Sequence, residues 1–597
     1  MVSTDSQNAA PTRSTVGVTD LLKGVAQMAP DALSMVRHAP GFLIKSPAQK
    51  RTIGLIFQKL AHKHPDRPFV RFEGETITYG EANRIVNRYS AVLAERGVTT
   101  GDVVGVLAEN SATDLLVILA ALKLGAVAGM LNYNQHGHVI DHSMGLLNAK
   151  VLVRDPQCVE AWETMSPDAK PEHVLDFAEL DAAAEGKPDA DPAVTAQLPA
   201  STTAFYIFTS GTTGLPKASM MSHNRWMANY DGIGGLAARL RPSDTMYVAL
   251  PMYHNNALSV SLGAVLAGGA CIAVARKFSA SRFWDDVIAN RATAFCYIGE
   301  LCRYLLAQPE KPTDRGHAVR VIVGNGMRPE IWEEFSERFG VGRIVEFYGA
   351  SELNLAFVNA FNVSRTAGFC PLPFKVVEYE ADGSPKRDAN GRLRTVRKGE
   401  PGLLIAEISE RVPLDGYTDD TETEKKIIRD AFKDGDAYFN SGDLVRQQGF
   451  LHIAFVDRLG DTFRWKGENV ATTEVESALG TFDAVEQAAV YGVEVPGCDG
   501  RAGMAALTLA QGAELDGKAL AAHLYEALPT YAVPLFLRLV PQLEATTTFK
   551  NRKVELRDEA YTDTGDDRVL VLASRAEGYV PIYDGFTDEV AGVKASN

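Results

Sequence analysis

Cysteine is scarce in this chain: six stand among 597 residues, at positions 158, 271, 296, 302, 370 and 498. No two of them form a C-x-x-C pair, so the chain offers neither a zinc-type ligand spacing nor a dense disulfide framework. They read as buried or free thiols of a reducing compartment. An excess of positive charge is missing as well. Sixty Lys and Arg face 75 Asp and Glu, for a net charge of −15. That balance argues against nucleic-acid or anionic-membrane binding driven by overall charge. An anionic ligand would need a local positive pocket. Internal repeats are absent. Residues 1–15 are polar and lack the apolar core of a signal peptide, and Val593–Asn597 is not a peroxisomal address. Unbroken apolar spans are also lacking. Ala257–Ala275 carries no charge and is long enough to cross a bilayer, but Ser259, Ser261 and Gly268-Gly269 interrupt it. It reads as a buried helix, a turn and a buried strand. Leu115–Leu131 is broken in the same way by Lys123 and Gly125.

What is present is ordinary globular material, 46% hydrophobic and 23% charged, long enough for several domains. Residues 20–50 hold apolar patches spaced by Pro30 and Pro40, read as short helices. They form either a surface-docking arm or simple packing on the main body. From Thr52 the pattern alternates. Thr76–Gly80 ends a strand and leads into a helix through Leu93. Val103–Leu107 is a buried strand, Asp114–Leu124 a helix and Ala126–Leu131 a strand. Such alternation predicts layered sheets with helices on their faces. Residues 171–199, acidic and Pro-punctuated, read as a surface excursion. Residues 376–407 carry turn signals at Ala381-Asp382-Gly383 and Ala389-Asn390-Gly391, which predict a small antiparallel β unit. A separate small domain is expected after Asp457-Arg458-Leu459-Gly460.

The strongest local signal is Ser210-Gly211-Thr212-Thr213-Gly214-Leu215-Pro216-Lys217, following the strand-like Ala204–Phe208. Glycines let backbone N–H groups approach an anion, hydroxyls donate hydrogen bonds, and Lys217 supplies charge. The stretch is not the common P-loop, because Leu215-Pro216 separates the last glycine from the lysine. Its alternative is a solvated Ser/Thr/Gly loop.

Further clusters fit one reaction. Tyr348-Gly349-Ala350-Ser351-Glu352 offers a hydroxyl and a hard oxygen ligand of the kind that holds Mg²⁺ together with phosphate oxygens and water. Asn440-Ser441-Gly442-Asp443 offers an acceptor for ribose hydroxyls, although Ser-Gly-Asp is also a common turn. Asp457-Arg458-Leu459-Gly460-Asp461 adds a cation and a flexible residue. Lys466-Gly467-Glu468-Asn469 and Thr546–Lys550 complete the set.

In this order and spacing the clusters resemble the adenylate-forming superfamily, over about Thr76 to Arg557. Phe439–Glu476 and Gly324–Pro329 resemble its branch of fatty-acid-transport proteins and very-long-chain acyl-CoA synthetases. The resemblance implies an α/β fold: a large N-terminal region of layered α/β sheets with a small β unit, and a small mobile α+β C-terminal domain. With the arm placed over 1–50, it implies an AMP- and acyl-binding domain over 51–459 and a mobile domain over 460–597.

It also implies roles. Thr209, Ser210, Gly211, Thr212, Thr213, Gly214 and Lys217 would wrap the β- and γ-phosphates of ATP. Glu352 would hold Mg²⁺ and Ser351 would touch the α-phosphate. Ser351 replaces the family's usual threonine. Gly324, Asn325, Gly326, Phe347 and Tyr348 would flank adenine, and Asp443 with Arg458 would grip ribose. Lys550 would be the catalytic lysine, with Phe549 where the family usually has glycine. Gly460 would be the hinge, or a plain turn, and Gly467 would line the tunnel for CoA. Gly349 and Ala350 would leave the acyl pocket deep. Tyr253 and His254 would line its entrance, His254 being equally readable as a structural histidine.

The expected reaction is activation of a long- or very-long-chain fatty acid to acyl-AMP, followed by transfer to CoA. The rivals are a ligase loading a carrier protein and a fatty-acid uptake protein. The expected setting is cytoplasmic, with peripheral contact at the inner face of a membrane, and no nucleic acid as partner. Oligomeric state is not legible.

Overall fold

The computed structural model describes residues 15–590, apart from 44–45, 210–214, 350–352, 381–382, 411, 415–419, 460, 466–467, 497, 499 and 544–552. Local chemistry sets the helix ends. The helix Tyr79–Glu95 starts on a capping box: Thr78 Oγ1 accepts from Glu81 N, and the Glu81 carboxylate accepts from Thr78 N. The helix Ala112–Leu124 starts on Ser111, whose hydroxyl accepts from Asp114 N, and stops at Gly125 with φ 76°.

This second helix is buried on every side, Lys123 included. The Lys123 ammonium donates to Asn83 Oδ1 at 2.9 Å and Asn87 Oδ1 at 2.6 Å, and pairs with Asp191 at 2.5 Å. A buried ammonium without such partners would be very costly. Residues 171–199 are therefore more than a surface excursion. Val174–Asp176 adds a strand beside Val151–Arg154, and Asp191 neutralises the core lysine.

Two large sheets carry the layered α/β body. The first runs in the order 174–176, 151–154, 103–107, 127–130, 203–209, 217–222. It is parallel except for its last pair, in which Thr209 faces Lys217 across an antiparallel ladder. The expected phosphate loop is thus the connection of a β-hairpin, and Lys217 opens a strand rather than a helix. The second sheet pairs Pro68–Phe72, Cys271–Val274, Thr245–Val248, Ala294–Ile298, Val321–Asn325 and Ile344–Tyr348, all in parallel. Beyond Ile344–Tyr348 it turns antiparallel through Phe357–Val358, Gly368–Phe369, His452–Arg458, Ala437–Gly449, Pro401–Glu407 and Phe374–Val377. The β unit expected at 376–407 is therefore the far end of this long sheet.

Ala257–Ala275 folds as read. It is a π-helical turn Asn256–Ser261, a helix Leu262–Gly268, a left-handed Gly269 and the strand Cys271–Val274. Among the described residues no helix is long and apolar enough to cross a membrane. None of the six cysteines forms a disulfide, and five of them are buried. From Phe463 onward a second hydrophobic core forms, around the sheet of strands 485–493, 502–509, 536–539, 568–574 and 578–581.

Candidate active site

The expected nucleotide residues gather where parallel strands end. Val321–Asn325 and Ile344–Tyr348 are neighbours, and their C-terminal ends deliver Gly324-Asn325-Gly326 and Tyr348-Gly349 to the same edge. In open α/β sheets this edge is where ligands bind. Pro251–Asn256, which follows the strand Thr245–Val248, arrives at the same edge. There the Asn256 side-chain amide donates to Asn325 Oδ1 at 3.0 Å, so the segment expected to line the acyl entrance and the loop expected to flank adenine are hydrogen-bonded to each other.

Asp443 and Arg458 stand opposite one another on paired antiparallel strands, with Arg458 Nε 3.5 Å from Asp443 Oδ1. The Tyr348 hydroxyl donates to Asp443 Oδ2 at 2.5 Å. Burial, and next the Asp443 carboxylate, push the Tyr348 phenol well above its ordinary value, so it stays a donor. Gly442, at φ 72°, lies within the strand Ala437–Gly449 where its register against Pro401–Glu407 slips, immediately before Asp443. The carboxylate is almost fully buried, whereas the guanidinium is half exposed.

On the acyl side, Tyr253 Oη accepts from the Asn134 amide at 3.3 Å, and its ring meets Tyr133 edge-on at 5.5 Å. The His254 ring lies 4.5 Å from the Tyr253 ring. Asn110 holds this segment by accepting from Met252 N at 2.8 Å and donating to Leu250 O at 2.9 Å. A Cβ built on Gly349 would meet Ala356 at an ordinary 3.5 Å. A side chain there would be tolerated by the backbone, and its absence leaves space. Below the hairpin loop, His142 Nε2 lies 3.0 Å from Pro216 O. Lys217 is half-buried at the start of the second hairpin strand. Ser210, Gly211, Thr212, Thr213, Gly214, Ala350, Ser351, Glu352, Gly460, Gly467 and Lys550 lie outside the described residues, as does the side chain of Thr209.

Three residues that shape this edge have no part in the sequence reading. Glu346 is buried, and its Oε1 accepts from Gly326 N at 2.5 Å and Met327 N at 3.2 Å, while its Oε2 is hydrogen-bonded to the Tyr297 hydroxyl. Gly299 touches the same loop. A Cβ there would lie 1.7 Å from Gly326 O. The sequence signal for Glu346 was a lone acid inside the apolar strand Ile344–Tyr348; buried charges are rare without a task.

Burial pushes the Glu346 carboxyl up to about 8 from 4.5, against the lowering effect of its three hydrogen-bond partners. The folded protein therefore keeps a proton that the unfolded chain loses between those values. Stability from this group is full below the lower value and is lost as pH rises through the upper one. Replacing Glu346 with Gln removes the titration. The stability of the wild type relative to Glu346→Gln is expected to fall by up to about 1.4 kcal/mol per pH unit across that window and to level off above it. Urea unfolding of both proteins from pH 5 to 9 reads this directly. Parallel curves would refute it.

The second core meets the first beside this loop. Arg303 donates to Glu486 O at 2.6 Å, and the Gln487 amide donates to Tyr304 Oη at 3.3 Å. Asp457, on the last strand before position 460, accepts from Thr472 N at 2.5 Å. The Lys553 ammonium lies nearby, donating to Thr472 Oγ1 at 2.9 Å and pairing with Glu476 at 2.7 Å. Burial pushes the Asp457 carboxyl up to about 6, and Lys553 opposes that rise.

The AMP-binding enzyme family profile matches residues 57–394, and that of the AMP-binding enzyme C-terminal domain matches 474–550. The chain belongs to the AMP-binding enzyme family. Within that family it is 54% identical over 580 residues to the medium/long-chain-fatty-acid–CoA ligase FadD6 of Mycobacterium tuberculosis, covering 97% of each chain. It is 40% identical over 584 residues to long-chain fatty acid transport protein 2 of Rattus norvegicus, covering 93% of each. ATP-bound MatB from Rhodopseudomonas palustris shares the fold, with a TM-score of 0.72 at 23% identity, over 86% of this chain and all of that one. For an AMP-binding enzyme, the edge shared by Asn325, Tyr348 and Asp443 is the place where the nucleotide is expected.

Proposed function

We propose that this AMP-binding enzyme is a fatty-acid–CoA ligase acting on long- or very-long-chain acids. The carboxylate attacks the α-phosphorus of ATP, pyrophosphate leaves, and acyl-AMP forms. The CoA thiol then attacks the acyl carbonyl, loses its proton, and AMP leaves. The observation that carries the reading is the Asn256–Asn325 hydrogen bond, which joins the acyl-side and nucleotide-side segments at one edge. The near full-length similarity to a fatty-acid–CoA ligase supports it.

In this reading Asp443, fixed by Tyr348 and Arg458, receives the ribose hydroxyls. Gly324-Asn325-Gly326, Phe347 and Tyr348 flank adenine, with Glu346 and Gly299 setting the loop behind them. The hairpin loop from Thr209 to Lys217 covers the outer phosphates. Lys550 neutralises charge at the reacting oxygens. Both reactants are anions, so catalysis is mostly positioning and charge neutralisation. A Mg²⁺ ion would be held by phosphate oxygens, with Glu352 as the protein carboxylate, and would neutralise the leaving pyrophosphate. Gly460 is the proposed hinge between the units 51–459 and 460–597, and Gly467 the proposed wall of the thiol tunnel. Tyr253, His254, Gly349 and Ala350 line the proposed acyl route. Each buried CH₂ contributes about 0.8 kcal/mol, so a deep route favours long chains. The proposed setting is cytoplasmic, with peripheral membrane contact through the arm of residues 1–50.

The test is pyrophosphate release from ATP with Mg²⁺ over a series of fatty acids, with and without CoA. Sustained turnover that needs CoA and peaks at long chains is expected. A single burst unaffected by CoA would point to a ligase for a carrier protein. The similarity to a fatty acid transport protein favours uptake coupled to activation as the accompanying role; no release at all would leave uptake alone.

A further inference from the structure

Exposed apolar side chains are not spread evenly. Of the twelve large ones exposed among the described residues, five lie on the arm helices Val18–Met28 and Ala32–Leu43: Val18, Leu22, Val25, Leu33 and Val36. Two more, Phe450 and Leu451, form the tip of the hairpin joining Ala437–Gly449 to His452–Arg458. Tip and arm are neighbours. Val16 N donates to Gln448 O at 2.9 Å, and the Lys398 ammonium reaches both Val16 O, at 3.4 Å, and the Phe450 ring, at 5.2 Å from its centroid.

The arm is not loosely placed. Gly24 lies so close to Phe361 that a Cβ there would sit 2.6 Å from Phe361 O. Asp31 pairs with Arg239, Arg241 and Arg343, and Asp231 holds Arg51 and His38. One face is clamped by buried ion pairs. The opposite face, where a solvent-facing helix is normally polar, shows Val18, Leu22 and Val25 at helical spacing.

The tip is stranger still. Phe450 and Leu451 both have left-handed backbones, at φ 48° and 60°. Among the described residues they are the only consecutive pair of non-glycine residues with such angles. A two-residue turn of this kind favours Asn-Gly, and bulky side chains there are strained. Backbone strain that displays two large apolar groups to solvent marks a functional contact.

Four exposed cations stand around them: Lys23 and Arg37 on the arm helices, and Arg397 and Lys398 on the loop that touches the tip, in a chain whose overall charge is −15. Asp20 is taken up in capping Gly17 N, and Glu400 accepts from Arg397 N. Residues 1–14 contain only Met1 and Val2 as large apolar side chains to offer as a cover.

We infer that the Phe450–Leu451 tip and the outer face of the arm form a two-part docking surface for an anionic lipid bilayer. The apolar side chains enter the acyl boundary and the surrounding cations meet the headgroups. The inference extends the peripheral membrane contact proposed above: it adds a second element, remote in sequence, and names the lipid charge.

Vesicle co-sedimentation of the full-length protein tests it, with phosphatidylcholine alone and with added phosphatidylglycerol. Binding is expected to be stronger with the anionic lipid and to weaken with salt. Phe450→Asn/Leu451→Gly installs the residues the turn prefers, so its thermal midpoint is expected to hold or rise while the partition coefficient falls about tenfold or more. Leu22→Gln/Val25→Gln is expected to lower binding independently. CoA-dependent turnover of octanoate, a soluble acid, without vesicles should not change in either variant. Absence of CoA-dependent turnover in the wild type with every acid of the series would sink the ligase reading while leaving vesicle binding to be read separately. Unchanged vesicle binding in the folded tip variant would overturn the docking surface. So would a wild type that ignores vesicles and instead self-associates through this face, becoming monomeric in the variant.

Discussion

Replacing Lys550 with alanine is expected to lower pyrophosphate release by about 10³-fold, while thioester formation from supplied acyl-AMP and CoA stays within severalfold of wild type. The reasoning is electrostatic. Attack of a carboxylate on a triphosphate brings two anions together, and a mobile cation at the reacting oxygens acts most strongly when they are closest. Such an interaction lowers the barrier rather than KM, so the loss should appear in kcat of the first half-reaction. The second half-reaction begins from a mixed anhydride whose α-phosphate no longer accepts a nucleophile. It has no use for that cation. Single-turnover assays of each half separate the two. Equal loss in both would remove Lys550 from this role and leave it a structural residue of the C-terminal unit.

The second large effect is expected from the smallest change. Gly299→Ala puts a methyl carbon where only 1.7 Å separates it from the carbonyl oxygen of Gly326. That neighbour is backbone and cannot rotate away. The loop Gly324–Met327 is held on its far side by Glu346, so the strain must move the loop or break the clamp. Overpacking of this kind costs about 1–3 kcal/mol, corresponding to a rise of roughly 10- to 100-fold in KM for ATP if the bound nucleotide needs the undisturbed loop. KM for the fatty acid should change less: Asn256 ties the acyl-side segment to the loop, but Asn110 and Asn134 hold Met252 and Tyr253 independently of it. Kinetics varying each substrate in turn, beside a thermal midpoint, would check this. A proportional rise in both KM values would mean that the whole edge had moved.

Much of the chemistry was legible along the chain because it depends on adjacent residues. The helices through Leu93 and over Asp114–Leu124 followed from the alternating pattern, and the break of the apolar run from Gly268-Gly269, whereas the caps Thr78 and Ser111 that start those helices emerged from the structure. The candidate ribose cluster was legible as two short motifs, Asn440–Asp443 and Asp457–Asp461. Nothing local said that Asp443 and Arg458 would face each other on paired strands, or that Tyr348, some ninety positions earlier, would donate to Asp443. The segment 171–199 reads as polar surface because its acids are counted where they stand. Asp191 looks different once Lys123 is found buried beside it.

By itself the sequence determined the kinds of group available: a hydroxyl- and glycine-rich loop ending in a lysine, two carboxylates with neighbouring small residues, a late lysine, and an excess of negative charge. These follow from residue identity and short-range stereochemistry, which need no partner. Only the tertiary structure decided which of them meet. The parallel strand order sets Tyr297, Gly299, Gly326 and Glu346 side by side, and the antiparallel register aligns Asp443 with Arg458. Packing of the arm on Phe361 and Asp231 chooses which of its apolar residues are buried and which remain bare next to Phe450 and Leu451. Contacts between distant parts of a chain depend on how the strands are ordered and twisted, and that order arises from burying the whole apolar surface at once.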